Sequence, residues 1–404
     1  MRISTSQIFS TGVDQLGTLQ GNLAKTQMQL STNRRMLTAA DDPIASARAI
    51  EVTQSQSVNT QFATNRANAR SSLSQVEGAL QGTTLLLQDV QTMTVAAGNG
   101  ALSPADRNTM ATELEGRLED LFGLANSNDG AGSYLFGGFK SSTIPFTQSP
   151  AGATYRGDQG ARQLQVGSAR QMAISDSGSS IFENNPTGNG RFVTAAAPGN
   201  TGAGIASTGT VTDASALTGH DYAITFATGG TSFTVIDQAT GVAPAGLTGP
   251  QPYTSGQQIV FDGVALDIKG VPANGDTFSV KPSQKQSVFQ TLTDLISVLR
   301  APGIGAAGNA ALTAGLGKAH ENLGSALDNV LTVRASVGSR MKELDTLDSA
   351  GEDINIQYAA TLSGLQDLDV VATISQFTQQ QFALEAAQKS FKSMSGLSLF
   401  NYIG

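Results

Sequence analysis

Residues 7–37 read QIFSTGVDQLGTLQGNLAKTQMQLSTNRRML, a stretch in which a large apolar side chain returns every seven positions. The members of this repeat are Phe9, Leu16, Leu23, Leu30 and Leu37. The positions four residues after the central leucines are polar (Gln20, Gln27, Arg34), so the apolar stripe is narrow. A sustained seven-residue repeat predicts a helix that packs as part of a coiled coil.

The other end of the chain carries a second seven-residue repeat. Its members are Val370, Phe377, Leu384 and Phe391, and its stripe is predicted to be widened by Leu365, Leu368 and Ile374. A long helix gains most of its stability by packing an apolar face, so neither end is expected to be stable alone. The simplest partner for each end is the other end of the same chain. Neighbouring subunits are expected to cover the rest of each stripe.

The charges at the two ends have opposite signs. Residues 1–40 carry four basic side chains against one acidic side chain, a net charge of +3. Residues 353–404 carry two basic side chains against four acidic ones, a net charge of −2. Opposite signs favour pairing of the ends and help to set their orientation. Exposed ion pairs contribute only about 0–1 kcal/mol each, so the apolar seam is expected to dominate.

The composition of the 404 residues excludes several kinds of chemistry. The chain has no cysteine and only two histidines, which excludes disulfides, thiolate metal sites and mechanisms that need several imidazoles. Its net charge of −8 argues against nucleic-acid binding, which needs clustered basic side chains. No apolar run approaches the roughly 18 residues of a membrane span, and no apolar stretch follows the N-terminus as a cleaved signal requires.

The middle of the chain differs from its ends in composition. Residues 183–285 hold 16 glycines, about three times the density of residues 1–97. Glycine-rich turns between short alternating apolar runs predict strands. The predicted strands are Gln163–Val166, Gln171–Ile174, Tyr222–Phe226, Ser232–Ile236, Gln258–Phe261, Val264–Ile268 and Phe278–Val280.

Helical patterns flank this β-rich middle. They cover residues 44–97, a segment that opens at Ser103-Pro104, and residues 286–300 and 310–349. Serine at the cap followed by proline is typical of a helix start. The chain therefore predicts a multi-domain α+β protein in which a β-rich domain is inserted into an antiparallel helical rod.

Three short motifs that could carry chemistry have simpler interpretations. Residues 303–308 (GIGAAG) match the dinucleotide-binding pattern GxGxxG, but a helical segment precedes them where such a site needs a strand, which predicts an interhelical loop. Residues 41–43 (Asp-Asp-Pro) are typical of a helix start. Residues 156–158 (Arg-Gly-Asp) match an adhesion tripeptide but predict a turn. With His220 and His320 far apart in sequence, no catalytic, cofactor-binding or metal-binding residue is predicted.

Six segments spread over the chain carry a family resemblance. They are MRIST (1–5), QLSTNRR (29–35), ADDP (40–43), YLFGGF (134–139) with Pro145-Phe146 behind it, PANGDTF (272–278) and LSLFNYI (397–403). In these segments the sequence resembles the flagellin superfamily, and within it the hook-associated proteins of the hook–filament junction. Asn33 stands where relatives usually carry glycine, and asparagine also tolerates a left-handed backbone.

The resemblance implies three domains. In the inner domain, residues 1–40 plus 360–404, the terminal helices pair as a coiled coil that lines a central channel. A helical rod domain with a β-hairpin comprises residues 41–182 plus 286–359. An outer β-rich domain, residues 183–285, is inserted into the rod.

The same resemblance implies a structural junction protein and no enzyme. Copies of the chain are expected to form a ring between the first hook-associated protein and the flagellin filament. The protein is expected to be extracellular, on the bacterial flagellum, after type III export without a cleaved signal peptide. A cytosolic export chaperone is expected on the C-terminal region. No cofactor, no nucleic acid and no membrane insertion are expected.

Two other functions stay open, a filament flagellin of the same superfamily and an enzyme displayed through the β insert. The ending at residues 397–403 and the segment at 134–139 favour the junction, and the lack of a histidine cluster argues against the enzyme. The residues expected to carry assembly are Phe9, Leu16, Leu23, Leu30, Leu37, Leu365, Leu368, Val370, Ile374, Phe377, Leu384, Phe391, Leu399 and Phe400.

Overall fold

The computed structural model describes residues 5–150, 152–301 and 303–396, with α-helices at both ends and strands between them. The helices are α1 (Thr5–Thr32), α2 (Pro43–Ala97), α3 (Pro104–Ala125), α4 (Val288–Arg300), α5 (Gly305–Gln366) and α6 (Val370–Gly396). The strands are β1 (Phe146–Ser149), β2 (Gly152–Tyr155), β3 (Gln163–Gly167), β4 (Arg170–Ala173), β5 (Asn185–Pro186), β6 (Phe192–Ala196), β7 (Ile205–Ala206), β8 (Thr210–Val211), β9 (Tyr222–Ala227), β10 (Ser232–Asp237), β11 (Gln251–Pro252), β12 (Gln258–Phe261), β13 (Val264–Lys269), β14 (Thr277–Pro282) and β15 (Lys285–Gln286). The α+β class is confirmed, as are the predicted hairpin (β3 and β4) and the five further predicted strands.

The chain divides into two compact units. The terminal unit contains the described residues up to Thr64 and from Thr346 onward, and the central unit contains Asn65–Asp345. The boundary between the units falls inside α2 and α5. The predicted division into three domains stays a prediction.

Two helix ends depart from the seven-residue repeats of the sequence. Helix α1 ends at Thr32 because Asn33 takes a left-handed backbone, with φ of 53°. Leu37 therefore lies in the turn before α2 and not on the repeat. Helix α5 continues to Gln366, and Asp369 then caps α6 by accepting a hydrogen bond from the Ala372 amide at 3.0 Å. Leu365 and Leu368 consequently precede α6.

Side-chain caps account for where α2, α3 and α4 begin. The Asp42 carboxylate accepts a hydrogen bond from the Ala45 amide at 3.0 Å, so the Asp-Asp-Pro motif starts α2 as predicted. Ser103 and Asp106 form a reciprocal capping box around Pro104 at the start of α3. The Ser287 hydroxyl accepts from the Gln290 amide at the start of α4.

In the helical part of the central unit, the core is a cluster of phenylalanine rings. Phe289 of α4 lies 4.6 Å from Phe122 of α3, 5.0 Å from Phe146 of β1 and 6.0 Å from Phe182, measured between ring centroids. Phe136 meets Phe182 edge-on at 5.5 Å. These contacts fasten α3, α4 and the β1–β2 hairpin to one another.

The β-rich part of the central unit contains two larger antiparallel sheets with a common apolar core. One sheet has the order β11-β10-β9-β14-β6, and in the other β12-β13-β7 are joined by β8 on β13. The core residues are Phe192, Tyr222, Ile224, Phe226, Phe233, Val235, Ile259, Phe261, Val264, Leu266, Ile268, Phe278 and Val280. The chain enters and leaves through the paired strands β5 and β15. Asn329 of α5 fixes the segment just before β5, because its side-chain amide donates to the Ser180 and Ile181 carbonyls, both at 2.9 Å.

No helix in the described part of the chain has both the length and the apolar character that a membrane crossing requires.

Candidate assembly interface

Helices α1 and α6 pack against each other in antiparallel orientation. Phe9 near the start of α1 lies 5.0 Å from Phe391 near the end of α6, between ring centroids. Towards the other end of the pair, the Thr26 hydroxyl donates to Gln380 Oε1 at 2.8 Å. A side chain at Gly12 would come within 2.8 Å of the Phe391 ring, so glycine permits the close approach there.

The seam of this pair contains the repeat leucines of α1 together with companion positions between them. Apart from Gln29, the half-buried or buried positions on α1 repeat with spacings of four and three: Gly12, Leu16, Leu19, Leu23, Thr26 and Leu30. On α6 they are Thr373, Phe377, Gln380, Leu384, Ala387 and Phe391. The companion positions on α1 thus lie three residues after the repeat leucines, and the polar Gln20 and Gln27 are exposed.

The residues expected to carry assembly fall into four groups. Leu16, Leu23, Leu30, Phe377, Leu384 and Phe391 meet in the seam. Phe9, Val370 and Ile374 remain 54%, 42% and 52% exposed, and Ile374 therefore does not widen the seam as predicted. Leu37 lies in the turn before α2, Leu365 at the end of α5 and Leu368 between α5 and α6, and Leu399 and Phe400 lie outside the described residues. A role in assembly stays a prediction for all of them.

The polar contact inside the seam is buried. Thr26 is 3% exposed, and its hydroxyl lies 3.0 Å from the Asn22 carbonyl as well as 2.8 Å from Gln380 Oε1. A single polar residue at a core position of a coiled coil fixes its register at some cost in stability. Sequence reasoning missed this pair because Thr26 and Gln380 do not belong to the apolar repeats.

At one end of the helix pair, the turn after α1 is joined to the break between α5 and α6. The Arg35 amide donates to the Gln366 carbonyl at 2.8 Å, and the Arg35 guanidinium donates to the Leu365 carbonyl at 2.9 Å. Arg34 and Asp367 form an antiparallel β-bridge. These contacts link the segment where α1 ends to the segment where α6 begins, and we term this linked region the corner.

Ion pairs at this corner lie within the N-terminal segment. Lys25 pairs with Asp41 at 2.6 Å and Arg35 contacts Asp42 at 3.5 Å. Both ion pairs therefore lie within the N-terminal segment and do not join the two ends of the chain. The link from Arg35 to the C-terminal segment runs through a backbone carbonyl.

Asp41 organises the turn between α1 and α2. Its carboxylate accepts hydrogen bonds from the Leu37 and Thr38 amides, both at 2.9 Å, in addition to the Lys25 contact. The Lys25 contact, followed by the two amides, holds the pKa of Asp41 far below its usual range. The folded form thus favours the ionised carboxylate.

We expect the corner to be sensitive to acid. Because the pKa of Asp41 is lowered by folding, its contribution is complete above about pH 3.9, the unfolded-chain value, and is lost as the pH falls through the lower folded value. The chemical shifts of the Leu37 and Thr38 amide protons, followed between neutral and acid pH, measure this loss. In Asp41→Asn the two amides should already resemble the acid form at neutral pH. Wild-type-like shifts in that variant would contradict the assigned role of Asp41.

Apolar side chains outside the seam remain exposed on both terminal helices. On α1 they include Val13 and Met28, and on α6 they include Val371, Phe382 and Met394. Exposed apolar patches on soluble proteins commonly mark interaction sites. The helix pair therefore has apolar surface left for a further partner.

The resemblance-bearing segment 134–139 is locked to the Arg-Gly-Asp turn. The Asp158 carboxylate accepts hydrogen bonds from the amides of Phe139 (2.9 Å), Lys140 (3.0 Å) and Gly160 (2.8 Å). These amides lower the pKa of Asp158. Residues 156–158 form a bend at Gly157, and the aspartate has an internal structural use.

The two histidines lie in different parts of the central unit. His220 Nδ1 lies 2.8 Å from Asp237 Oδ2 in the β-rich part, and His320 lies on α5. Within the described residues no group of three or more histidine, aspartate or glutamate side chains is arranged to hold a metal ion.

Two segments of the chain match known families. Residues 3–141 match the bacterial flagellin N-terminal helical region. Residues 195–282, within the β-rich part, match the D2-like domain of flagellar hook-associated protein 1.

Similar proteins cover most of the chain or nearly all of it. It is 30% identical over 401 residues to flagellar hook-associated protein 3 of Salmonella typhimurium, which covers 99% of each chain. The structure resembles the crystal structure of hook-associated protein 3 from Legionella pneumophila, with 31% identity, a TM-score of 0.73 and coverage of 78% of this chain and 98% of that one. It also resembles the flagellar junction protein FlgL from Legionella pneumophila, with 30% identity, a TM-score of 0.71 and coverage of 79% and 100%.

Proposed function

Because the chain belongs to the flagellar hook-associated protein 3 family, we propose that it joins the flagellar hook to the filament as a ring of identical subunits. The ring assembles through the two terminal helices. Family membership supports a structural part of the flagellum, and the helix pair supports the manner of assembly.

The observation that carries this proposal is the apolar surface outside the α1–α6 seam. Val371 and Phe382 are 82% and 68% exposed on α6, and Val13 and Met28 add to the surface on α1. Burial of a large apolar side chain contributes about 1.5–3 kcal/mol. Neighbouring copies that cover this surface would stabilise both helices, whereas a dilute subunit leaves it in water.

The proposed partners follow from the family. On the hook side the partner is the first hook-associated protein, whose D2-like domain matches residues 195–282 of this chain. On the filament side the partner is flagellin. A cytosolic chaperone covers the C-terminal region before type III export, which uses no cleaved signal peptide, and the protein then resides on the flagellum outside the cell.

The three-domain division is part of the same proposal. The terminal helices, residues 1–40 plus 360–404, form the assembly domain. The rod comprises residues 41–182 plus 286–359, and residues 183–285 form the inserted outer domain. The paired strands β5 and β15 support the bounds of the insert, since the chain enters and leaves through them.

An enzymatic role has little support in the described residues. The His220 side chain is engaged with Asp237, and Asp158 is engaged with three amides. We therefore propose a structural protein without cofactor, nucleic-acid or membrane binding.

The position of the protein on isolated flagella tests the proposal against the filament-flagellin alternative. A gold-labelled antibody against residues 183–285 should bind in one narrow band between hook and filament. Label distributed along the whole filament would identify a filament flagellin and overturn the junction assignment. A strain that lacks the gene controls for antibody specificity.

A further inference from the structure

Phe139 is an exposed aromatic ring on a rigid support. The side chain is 68% exposed, although the preceding glycines, Gly137 and Gly138, are buried. Its amide and that of Lys140 are both bound by the Asp158 carboxylate. The ring lies against Gly160, where any side chain would overlap it. An exposed aromatic that is already held in place loses little conformational freedom on binding.

The hydrogen bonds beneath Phe139 extend into the core of this segment. The Tyr155 hydroxyl lies 2.9 Å from the Phe136 carbonyl and 2.7 Å from the Asp158 carbonyl. Burial of that hydroxyl raises the pKa of Tyr155 to about 12. Tyr155 is therefore uncharged, and its hydroxyl fixes the segment beneath Phe139 through the Phe136 and Asp158 carbonyls. Phe139 and Lys140 together form what we term the Phe139 knob.

An open groove of about 630 Å³ lies between α2 and α3. Its apolar lining residues are Gly82, Leu85, Leu86, Gly123 and Leu124. Leu85 is 60% exposed there although it belongs to a long helix with a packed inner face. A side chain at Gly82 would come within 2.8 Å of Leu124, so glycine keeps the floor of this α2–α3 groove clear.

The charges of the knob and the groove are complementary. The groove is lined by three acidic side chains, Asp89, Glu119 and Asp120, and by one basic side chain, Arg117. Arg117 lies 2.9 Å from Asp89 and 3.6 Å from Asp120, which leaves the groove with a net negative charge. The knob carries Lys140, which is exposed, whereas the charged carboxylate of the neighbouring Asp158 is directed at three backbone amides. Opposite charges around an apolar contact favour association and set its register.

We propose that the Phe139 knob of one subunit inserts into the α2–α3 groove of a neighbouring copy. The two surfaces are different patches of the same chain, so the contact is head-to-tail, and contacts of this kind close into rings when the rotation permits. This inference deepens the proposed function, on which it rests, by naming a second contact between ring subunits. Aromatic anchors in apolar pockets typically dominate such interfaces.

Thiol cross-linking on intact flagella tests the contact, because the chain has no cysteine of its own. Cells express two variants together, Phe139→Cys and Leu85→Cys, and a short bismaleimide is added to the flagella. We expect a covalent dimer that joins positions 139 and 85 and is absent when either variant is expressed alone. Val242→Cys, on the exposed surface of the β-rich part, replaces Leu85→Cys as the control and should give no dimer with Phe139→Cys.

Absence of the 139–85 dimer, with both variants incorporated into flagella, would overturn the contact. A second variant, Phe139→Ala, should weaken the contact by about thirtyfold, as loss of a dominant aromatic anchor does. Cells that carry Phe139→Ala should therefore retain fewer filaments than cells that carry Val242→Ala. Equal retention would overturn the proposal. If cells that lack the gene kept their filaments, the proposed function would fail instead, so the two failures are distinguishable.

Discussion

Leu23→Asp should abolish filament attachment and leave the central unit folded. Leu23 lies in the middle of the α1–α6 seam, with repeat positions of the seam on either side of it. A carboxylate at this half-buried position must either stay in the seam without a partner or pull α1 away from α6, and loss of hydration by an unpaired charge is costly. The central unit, Asn65–Asp345, does not contain this residue. The measurement is the number of attached filaments in cells that carry only the variant.

Gln20→Asp is the matched control for Leu23→Asp. It adds the same charge to the same helix, but Gln20 is exposed and outside the seam. It should leave the α1–α6 pairing intact. Thermal unfolding of both purified variants should show the same main transition as the wild type. Filament attachment at the wild-type level in Leu23→Asp would contradict the role of the seam.

Phe289→Ala should cost about 3–5 kcal/mol of unfolding free energy in the central unit. The ring is fully buried and lies between Phe122, Phe146 and Phe182. Its removal eliminates contacts to α3 and the β1–β2 hairpin together and leaves a cavity between them. Denaturant unfolding of wild type and variant measures the difference.

Ser297→Ala, on the exposed side of the same helix, controls for helix propensity in that experiment. Its unfolding free energy should lie within about 0.5 kcal/mol of the wild type. A loss below about 1 kcal/mol in Phe289→Ala would mean that the aromatic cluster does not hold these elements together.

The class of the fold and most elements could be predicted because each depends on local patterns. The leucine repeat predicts α1, the alternating runs predict β9, β10, β12, β13 and β14, and Ser103-Pro104 predicts the start of α3. Apolarity alone selects Leu16 and Leu23 for the seam, as observed, but not Thr26. Thr26 joins the seam through a hydrogen bond to a residue 354 positions away, which no local pattern reveals.

The missed features share a dependence on distant partners. Strand β6 follows no strong alternation and exists because it pairs with β14. The corner depends on Arg35 reaching Gln366 and Leu365. Likewise, the Arg-Gly-Asp turn could be predicted, but its support of Phe139 could not, since the two segments are 19 residues apart in sequence. The candidate site was therefore predicted as two helices and observed as two helices plus the turns that hold them.

The most direct test of the junction assignment is deletion of the gene followed by complementation. The quantity to measure is the ratio of flagellin released into the medium to flagellin attached to cells, with hooks counted on the same cells. The deletion strain should keep its hooks and release nearly all its flagellin, and the wild-type chain should restore attachment. Full-length filaments on cells that lack the chain would contradict the account.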